Sequence, residues 1–190
     1  IASLAQDAGV CVTSRCRAQD DLPALERQAG ELLESADIVI VIGGASVGDR
    51  DFAKPMFAPH GLALVFDRLA IKPGKPVWLG RAGARLVLGL PGNPSSAMVT
   101  ARLFLVPILE RLQGGEGYHA WRDMPLATPL PATGDRETFA RAHWGQAGLE
   151  VLGNQDSGVQ GGLARADWLI RCPSSQAGLE AGNTVSALLF

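Results

Sequence analysis

An unbroken apolar run, Asp37-Ile-Val-Ile-Val-Ile42, stops abruptly at Gly43-Gly44. Apolar residues without alternation do not suit a strand with one wet face. They suit a central strand covered on both faces, as in a parallel α/β sheet. The glycine pair then opens the loop Gly43-Gly-Ala-Ser-Val-Gly-Asp-Arg-Asp51 at the carboxyl end of that strand. Ligands of open α/β sheets bind at this end.

The surrounding pattern extends this reading. Residues 1–9 read as the end of a helix closed by Gly9, with no initiator Met and no entry to the helix, so the chain reads as a piece of something longer. Residues 10–16 are strand-like. Residues 21–36 read as a helix with Leu22, Leu25, Leu32 and Leu33 on its apolar face. A short helix over 51–59 and strands over 62–69, 77–80 and 85–90 follow, the last two joined by a hairpin turn at 81–84. A helix over 94–112 places Met98, Ala101, Leu105 and Leu109 on one face. This order predicts a three-layer α/β domain with a mostly parallel sheet over residues 1–115. Past Gln113-Gly-Gly-Glu-Gly117 the character changes. Strand-like runs at 125–130, 137–143, 149–152, 168–171 and 184–189, with one helical stretch at 159–165, predict a small β-rich, partial-barrel domain over residues 116–190.

Composition narrows the class of ligand. The 190 residues are 47% hydrophobic and 19% charged, with a net charge of −2, which describes a chain with a real core. Its basic residues are scattered, whereas nucleic-acid binding would call for a basic stripe. The local cluster Arg68, Lys72, Lys75 suits a small anion. No apolar run reaches the ~20 residues of a membrane span, and no signal peptide is visible. The three cysteines and three histidines lack disulfide or metal spacing, so a reducing, cytoplasmic location is the expectation.

Two rigid segments carry the chemistry. Lys72-Pro-Gly-Lys-Pro76 holds two lysines on a proline-fixed turn, where mutual repulsion is least costly with an anion between them. Leu90-Pro-Gly-Asn-Pro-Ser-Ser96 reads as a turn feeding a helix, with Asn93 as N-cap, Pro94 as first helical residue and two serines beside unpaired amides. Asp49 and Asp51 suit Mg2+, which takes one or two carboxylates plus water and substrate phosphate. They equally suit a tight turn with Asp51 as a helix cap. Asp20-Asp21 suits a cap beside Pro23, and also lies where a carboxylate joins Asp51 at a shared metal. Arg141 lies in a strand-like run and suits an oxyanion or an exposed strand position. Ser157, in Gly153-Asn-Gln-Asp-Ser-Gly158, suits an anion or a hydroxyl-stabilised turn.

Taken in order, these segments resemble the molybdopterin molybdenumtransferases, the MoeA and gephyrin E-domain family. The likeness runs through DD at 20–21, GGASVGDRD at 43–51, AIKPGKP at 70–76, GLPGNPSSAM at 89–98, GNQDSG at 153–158, LARAD at 163–167 and GLEAG at 178–182. The resemblance implies Mg2+-dependent cleavage of adenylylated molybdopterin, release of AMP and loading of molybdate onto the dithiolene. By position, Asp20 and Asp51 match metal-dependent carboxylates. Lys72, Lys75, Ser96, Arg141 and Ser157 match residues around molybdate and the pterin phosphate, and Gly43, Gly44 and Ser46 match the pterin loop. Lys72 and Lys75, with the two carboxylates, are the expected catalytic set. Ile42 departs from the family's Ser or Thr, Arg68 stands where some members have Lys, and Gly161-Gly162 replace small hydroxylated residues. Family members also carry further N-terminal domains and an opening strand not present in this sequence, and they act as homodimers. The other readings are the related molybdopterin adenylyltransferase and a non-catalytic, peptide-binding dimeric scaffold of gephyrin type.

Overall fold

The computed structural model describes residues 1–44, 52–155 and 160–190. Its elements are α1 (Ala2–Asp7), α2 (Leu22–Ser35), β1 (Ile38–Ile42), a 3-10 turn (Pro55–His60), β2 (Leu62–Phe66), β3 (Ile71–Lys72), β4 (Trp78–Ala82) and β5 (Arg85–Leu90). They continue as α3 (Pro94–Thr100), a π turn (Ala101–Leu105), α4 (Val106–Leu112), β6 (Arg122–Pro125), β7 (Glu137–Trp144), β8 (Leu149–Val151), α5 (Gln160–Leu163), β9 (Trp168–Cys172) and β10 (Thr184–Leu189). The expected helix over 94–112 is therefore one helical run with a wide turn inside it. There the Val106 N–H reaches the Ala101 carbonyl. The wide turn immediately precedes Pro107, whose ring clashes with regular helical bonding.

The first sheet runs β1-β5-β4-β2. Alternation along β1 and β5 feeds two cores. Val39 and Val87 join Leu25, Ala29, Met56, Phe57 and Trp78 under α2 and the 3-10 turn. Leu88 and Leu90 face the other way, onto Val99, Leu103, Leu105 and Leu109 of the long helical run. This is the expected three-layer α/β arrangement, followed by a β-rich unit.

Three expectations are corrected. The sheet is not mostly parallel among the described residues: β1 and β5 pair in parallel, whereas β5–β4 and β4–β2 are antiparallel. The cause is local, since the tight turn between Ala82 and Arg85, with Gly83 at φ +60°, sends β5 straight back along β4. β1 is covered on both faces but is an edge strand rather than a central one among the described residues, and Ile42 is 54% exposed. Residues 10–16 form no strand. Val10 and Val12 tuck against the core, and the segment lines a cavity of about 530 Å³ together with α1 and β1 rather than pairing with β1.

The second sheet runs β3-β7-β9-β10-β6, with β8 also on β7. It is an open sheet, and its runs at 137–144, 149–151, 168–172 and 184–189 lie close to where the sequence places them. One face buries Leu126, Ala140, Ala142, Leu149 and Ile170. The other sends Phe139, Leu169 and Leu188 into the same core as α3 and α4. β3 comes from the Lys72 segment, so a strand preceding β4 in sequence is paired into the second sheet, parallel to β7.

Trp78 is fully buried and stands directly opposite Gly89 across the β4–β5 ladder. Its indole lies over Gly89, and a Cβ there would collide with Nε1. Gly89→Ala is expected to destabilise the chain by about 1–3 kcal/mol through overpacking. Urea unfolding followed by Trp fluorescence measures it, and an unchanged midpoint would contradict this packing.

Candidate functional site

Because β1 and β5 are parallel, the loops that leave them emerge at the same end of the sheet. The Gly43 N–H donates to the Leu90 carbonyl at 3.1 Å. A Cβ on Gly92 would lie 3.3 Å from the Gly43 Cα, so the two turns meet glycine to glycine. The start of the glycine loop and the start of α3 thus form one floor, as the sequence motifs require.

The helix start forms as read. Asn93 is extended (φ −72°, ψ 125°), and its Oδ1 accepts from the Ser95 N–H at 3.2 Å. Pro94 occupies the first turn, and the Ala97 N–H donates to the Asn93 carbonyl at 2.8 Å. Ser95 and Ser96 are both buried. Ser96 and Thr100 lie four residues apart on one helical face, and the Thr100 hydroxyl donates to the Ser96 carbonyl at 2.7 Å.

The lysine turn packs along that same face. Gly74, buried with φ +112°, sits so close to Thr100 Cγ2 that a Cβ would collide with it. The turn is closed by the Val77 N–H on the Gly74 carbonyl at 2.9 Å and by the Leu69 N–H on the Lys75 carbonyl at 3.1 Å. The Lys72–Pro73 peptide is cis. Lys72 and Lys75 are exposed. Among the described residues neither ammonium makes an ion pair or side-chain hydrogen bond. The third member of the basic cluster differs. Arg68 lies 3.7 Å from Asp67, which also pairs with Lys54. The hydrogen bond from Lys54 holds the Asp67 carboxyl below the usual carboxylate range. Lys54 and Arg68 therefore share one carboxylate partner, and Lys72 and Lys75 have none among the described residues.

Arg141 is 1% exposed. Its Nη1 donates to Ser95 Oγ at 3.0 Å and its Nη2 to the Asn154 carbonyl at 3.3 Å. It is thus a buried link between β7 and the start of α3 rather than an exposed strand charge. Sequence reasoning paired it with Ser96 and missed Ser95, Asn154 and Gln155. The signal for Gln155 was present in Gly153-Asn-Gln-Asp-Ser-Gly158, but only Ser157 was singled out there.

Ser46, Asp49, Asp51 and Ser157 lie outside the described residues. Asp20 is exposed, one residue before Asp21, which stands at the N-cap of α2 without making a side-chain capping bond. No group of three His, Cys, Asp or Glu residues suited to a metal occurs among the described residues. The described donor set for Mg2+ is Asp20 alone, which does not by itself fit the ion.

Comparison with known proteins places this geometry. Residues 1–111 match the family model described as a probable molybdopterin binding domain, and residues 123–190 match the MoeA C-terminal region, domain IV. The chain therefore carries a molybdopterin-binding domain fold, and it belongs to the MoeA family. A Staphylococcus aureus molybdopterin molybdenumtransferase is 29% identical over 198 aligned residues, covering all of this chain and 46% of the relative. The Bacillus subtilis protein of the same name is 30% identical over 90% of this chain and 41% of its own length. That of Haemophilus influenzae is 34% identical over 80% of this chain and 39% of its own length. The chain thus spans less than half the length of these relatives. A crystal structure of a molybdopterin biosynthesis MoeA protein from Pyrococcus horikoshii superposes with a TM-score of 0.74 at 26% identity, over 90% of this chain and 42% of that one.

The helix start depends on one capping side chain. Asn93→Ala is expected to cost about 1 kcal/mol, whereas Asn93→Asp keeps the acceptor and is expected to be close to neutral. Thermal unfolding of the two variants side by side tests this. Equal losses would show that the carboxamide oxygen is not the cap.

Proposed function

We propose that this chain forms the oxyanion and pterin-phosphate site of a molybdopterin molybdenumtransferase acting in molybdenum cofactor biosynthesis. The observation that carries the reading is the pair of unneutralised ammoniums, Lys72 and Lys75, on a turn packed along the same helical face as Ser96. Two fixed cations suit a dianion such as molybdate better than a neutral ligand. Membership of the MoeA family and the names of the relatives support the substrate class.

In this reading Lys72 and Lys75 offset the charge of molybdate, and Ser96 supplies a hydroxyl donor. Arg141 adds a buried positive charge behind Ser95. Gly43, Gly44 and Ser46 form the loop for the pterin phosphate, with Ser157 completing it. Adenylylated molybdopterin presents a phosphoanhydride to the same site. Water attacks the anhydride phosphorus and the P–O bond breaks, so AMP leaves and the pterin keeps its own phosphate; the two dithiolene thiols then displace one molybdate oxygen, which departs as water with their protons. The lysines favour this step by stabilising negative charge as it develops on the leaving phosphate. The Mg2+ assigned to Asp20 and Asp51 by the family resemblance would add charge neutralisation. The reading divides the chain into a pterin-binding domain over 1–115 and a β-rich domain over 116–190. It also includes a homodimer and a cytoplasmic setting.

Calorimetric titration with molybdate tests the site. Lys72→Ala and Lys75→Ala are each expected to weaken binding roughly tenfold or more, the scale of a lost charge-assisted contact. Arg68→Ala, whose guanidinium leans towards Asp67 rather than standing unpartnered on the lysine turn, is expected to change it little. Equal effects of all three substitutions, or none, would overturn the assignment.

A further inference from the structure

β9 pairs with one edge of β7 from Thr138 to Ala142. The other edge is divided: β3 pairs with Glu137 and Thr138, and β8 with Ala142 to Trp144. Among the described residues no strand fills the interval at Phe139 to Arg141. A side chain closes it. Gln155 Oε1 accepts from the Arg141 N–H at 2.9 Å, while Nε2 donates to the Arg141 carbonyl at 2.8 Å and to the Leu152 carbonyl at 2.7 Å. The Leu152 N–H donates to the same Arg141 carbonyl at 3.0 Å. A carboxamide carries donor and acceptor in one plane, so it can stand in for a peptide group of a missing strand.

The position of this patch gives it consequence. Arg141 is the residue whose guanidinium reaches Ser95 at the start of α3. Three residues earlier on the same strand, Thr138 is paired with Lys72. β7 therefore carries the lysine turn through its ladder and the helix start through one side chain. The backbone at Arg141 is where that second connection is set.

We propose that Gln155 is a positioning residue for the oxyanion site. By holding both backbone groups of Arg141, it keeps the guanidinium in register with Ser95, and so keeps the start of α3 aligned with Lys72. This rests on the functional reading above only in taking the aligned turns as the anion site. Glutamate cannot replace it: a carboxylate keeps the acceptor but loses both donations and faces two carbonyl oxygens. Asparagine keeps the chemistry and is one methylene too short.

The test uses Gln155→Ala and Gln155→Glu, with Thr133→Val as a control. Thr133 makes two comparable side-chain bonds, to the Pro173 carbonyl and from the Gln176 N–H, away from this interval. Amide hydrogen exchange at Ser95 and Ala97 is expected to quicken at least about fivefold in the Gln155 variants and to stay unchanged in Thr133→Val. Unchanged exchange at Ser95 in a folded Gln155 variant overturns the proposal. In molybdate titrations, Gln155→Ala and Ser95→Ala are each expected to weaken binding about tenfold, with the double variant no worse than the weaker-binding single one. A double loss equal to the product of the singles means that Gln155 does not act through Ser95. A wild-type chain that binds no molybdate overturns the functional reading, while the exchange at Ser95 still decides the positioning role.

Discussion

The strand β7 ties the lysine turn to the start of α3. Its parallel ladder with β3 sets where the lysine turn leaves the second sheet, at Lys72. Its Arg141 side chain, three residues along, crosses to Ser95 and sets where α3 begins. The shared core behind both, with Phe139, Leu169 and Leu188 packed against Val99, Leu103 and Leu105, makes the two sheets one packing problem rather than two. Breaking the β7 connections would leave only the Gly74 contact with Thr100 and the shared core to hold the two turns together.

Charge explains why this placement matters. Lys54 and Arg68 share Asp67 as a partner. Lys72 and Lys75 have no such partner among the described residues, and Gly74 cannot move away without leaving its seat against Thr100. Holding two like charges on a rigid, packed turn is unfavourable in the empty protein, and an anion between them relieves it. Arg141, desolvated but fully engaged, can position Ser95 without being drawn out to solvent. In the proposed function the exposed charges attract the ligand, and the buried one sets the geometry.

Much of this was readable from residues. Asn93 and Pro94 specify a helix start by local chemistry alone, and that start is present in detail. The strands of the second sheet follow from short apolar runs between glycine-rich turns. What failed depends on partners distant in sequence. The run at 38–42 reads as central because both faces are covered, but coverage of faces does not fix which edges are paired, and β1 lies at an edge. Residues 10–16 have strand composition but pair with no strand among the described residues. The pairing of Lys72 with Thr138 spans most of the distance between the two units and leaves no trace in either segment. Gln155 stands in a segment the sequence already marks, but its partner on β7 is not readable there, since it fills an interval that β3 and β8 leave on that strand.

The most direct measurement is the position of a heavy oxyanion. Crystals of the chain soaked in tungstate, with anomalous differences collected at the tungsten edge, would locate it. The account predicts one strong peak between the Lys72-Pro-Gly-Lys-Pro76 turn and the start of α3, within contact of both ammoniums and the Ser96 hydroxyl. A peak elsewhere, with that position empty, or no peak at millimolar tungstate in well-ordered crystals, would contradict it.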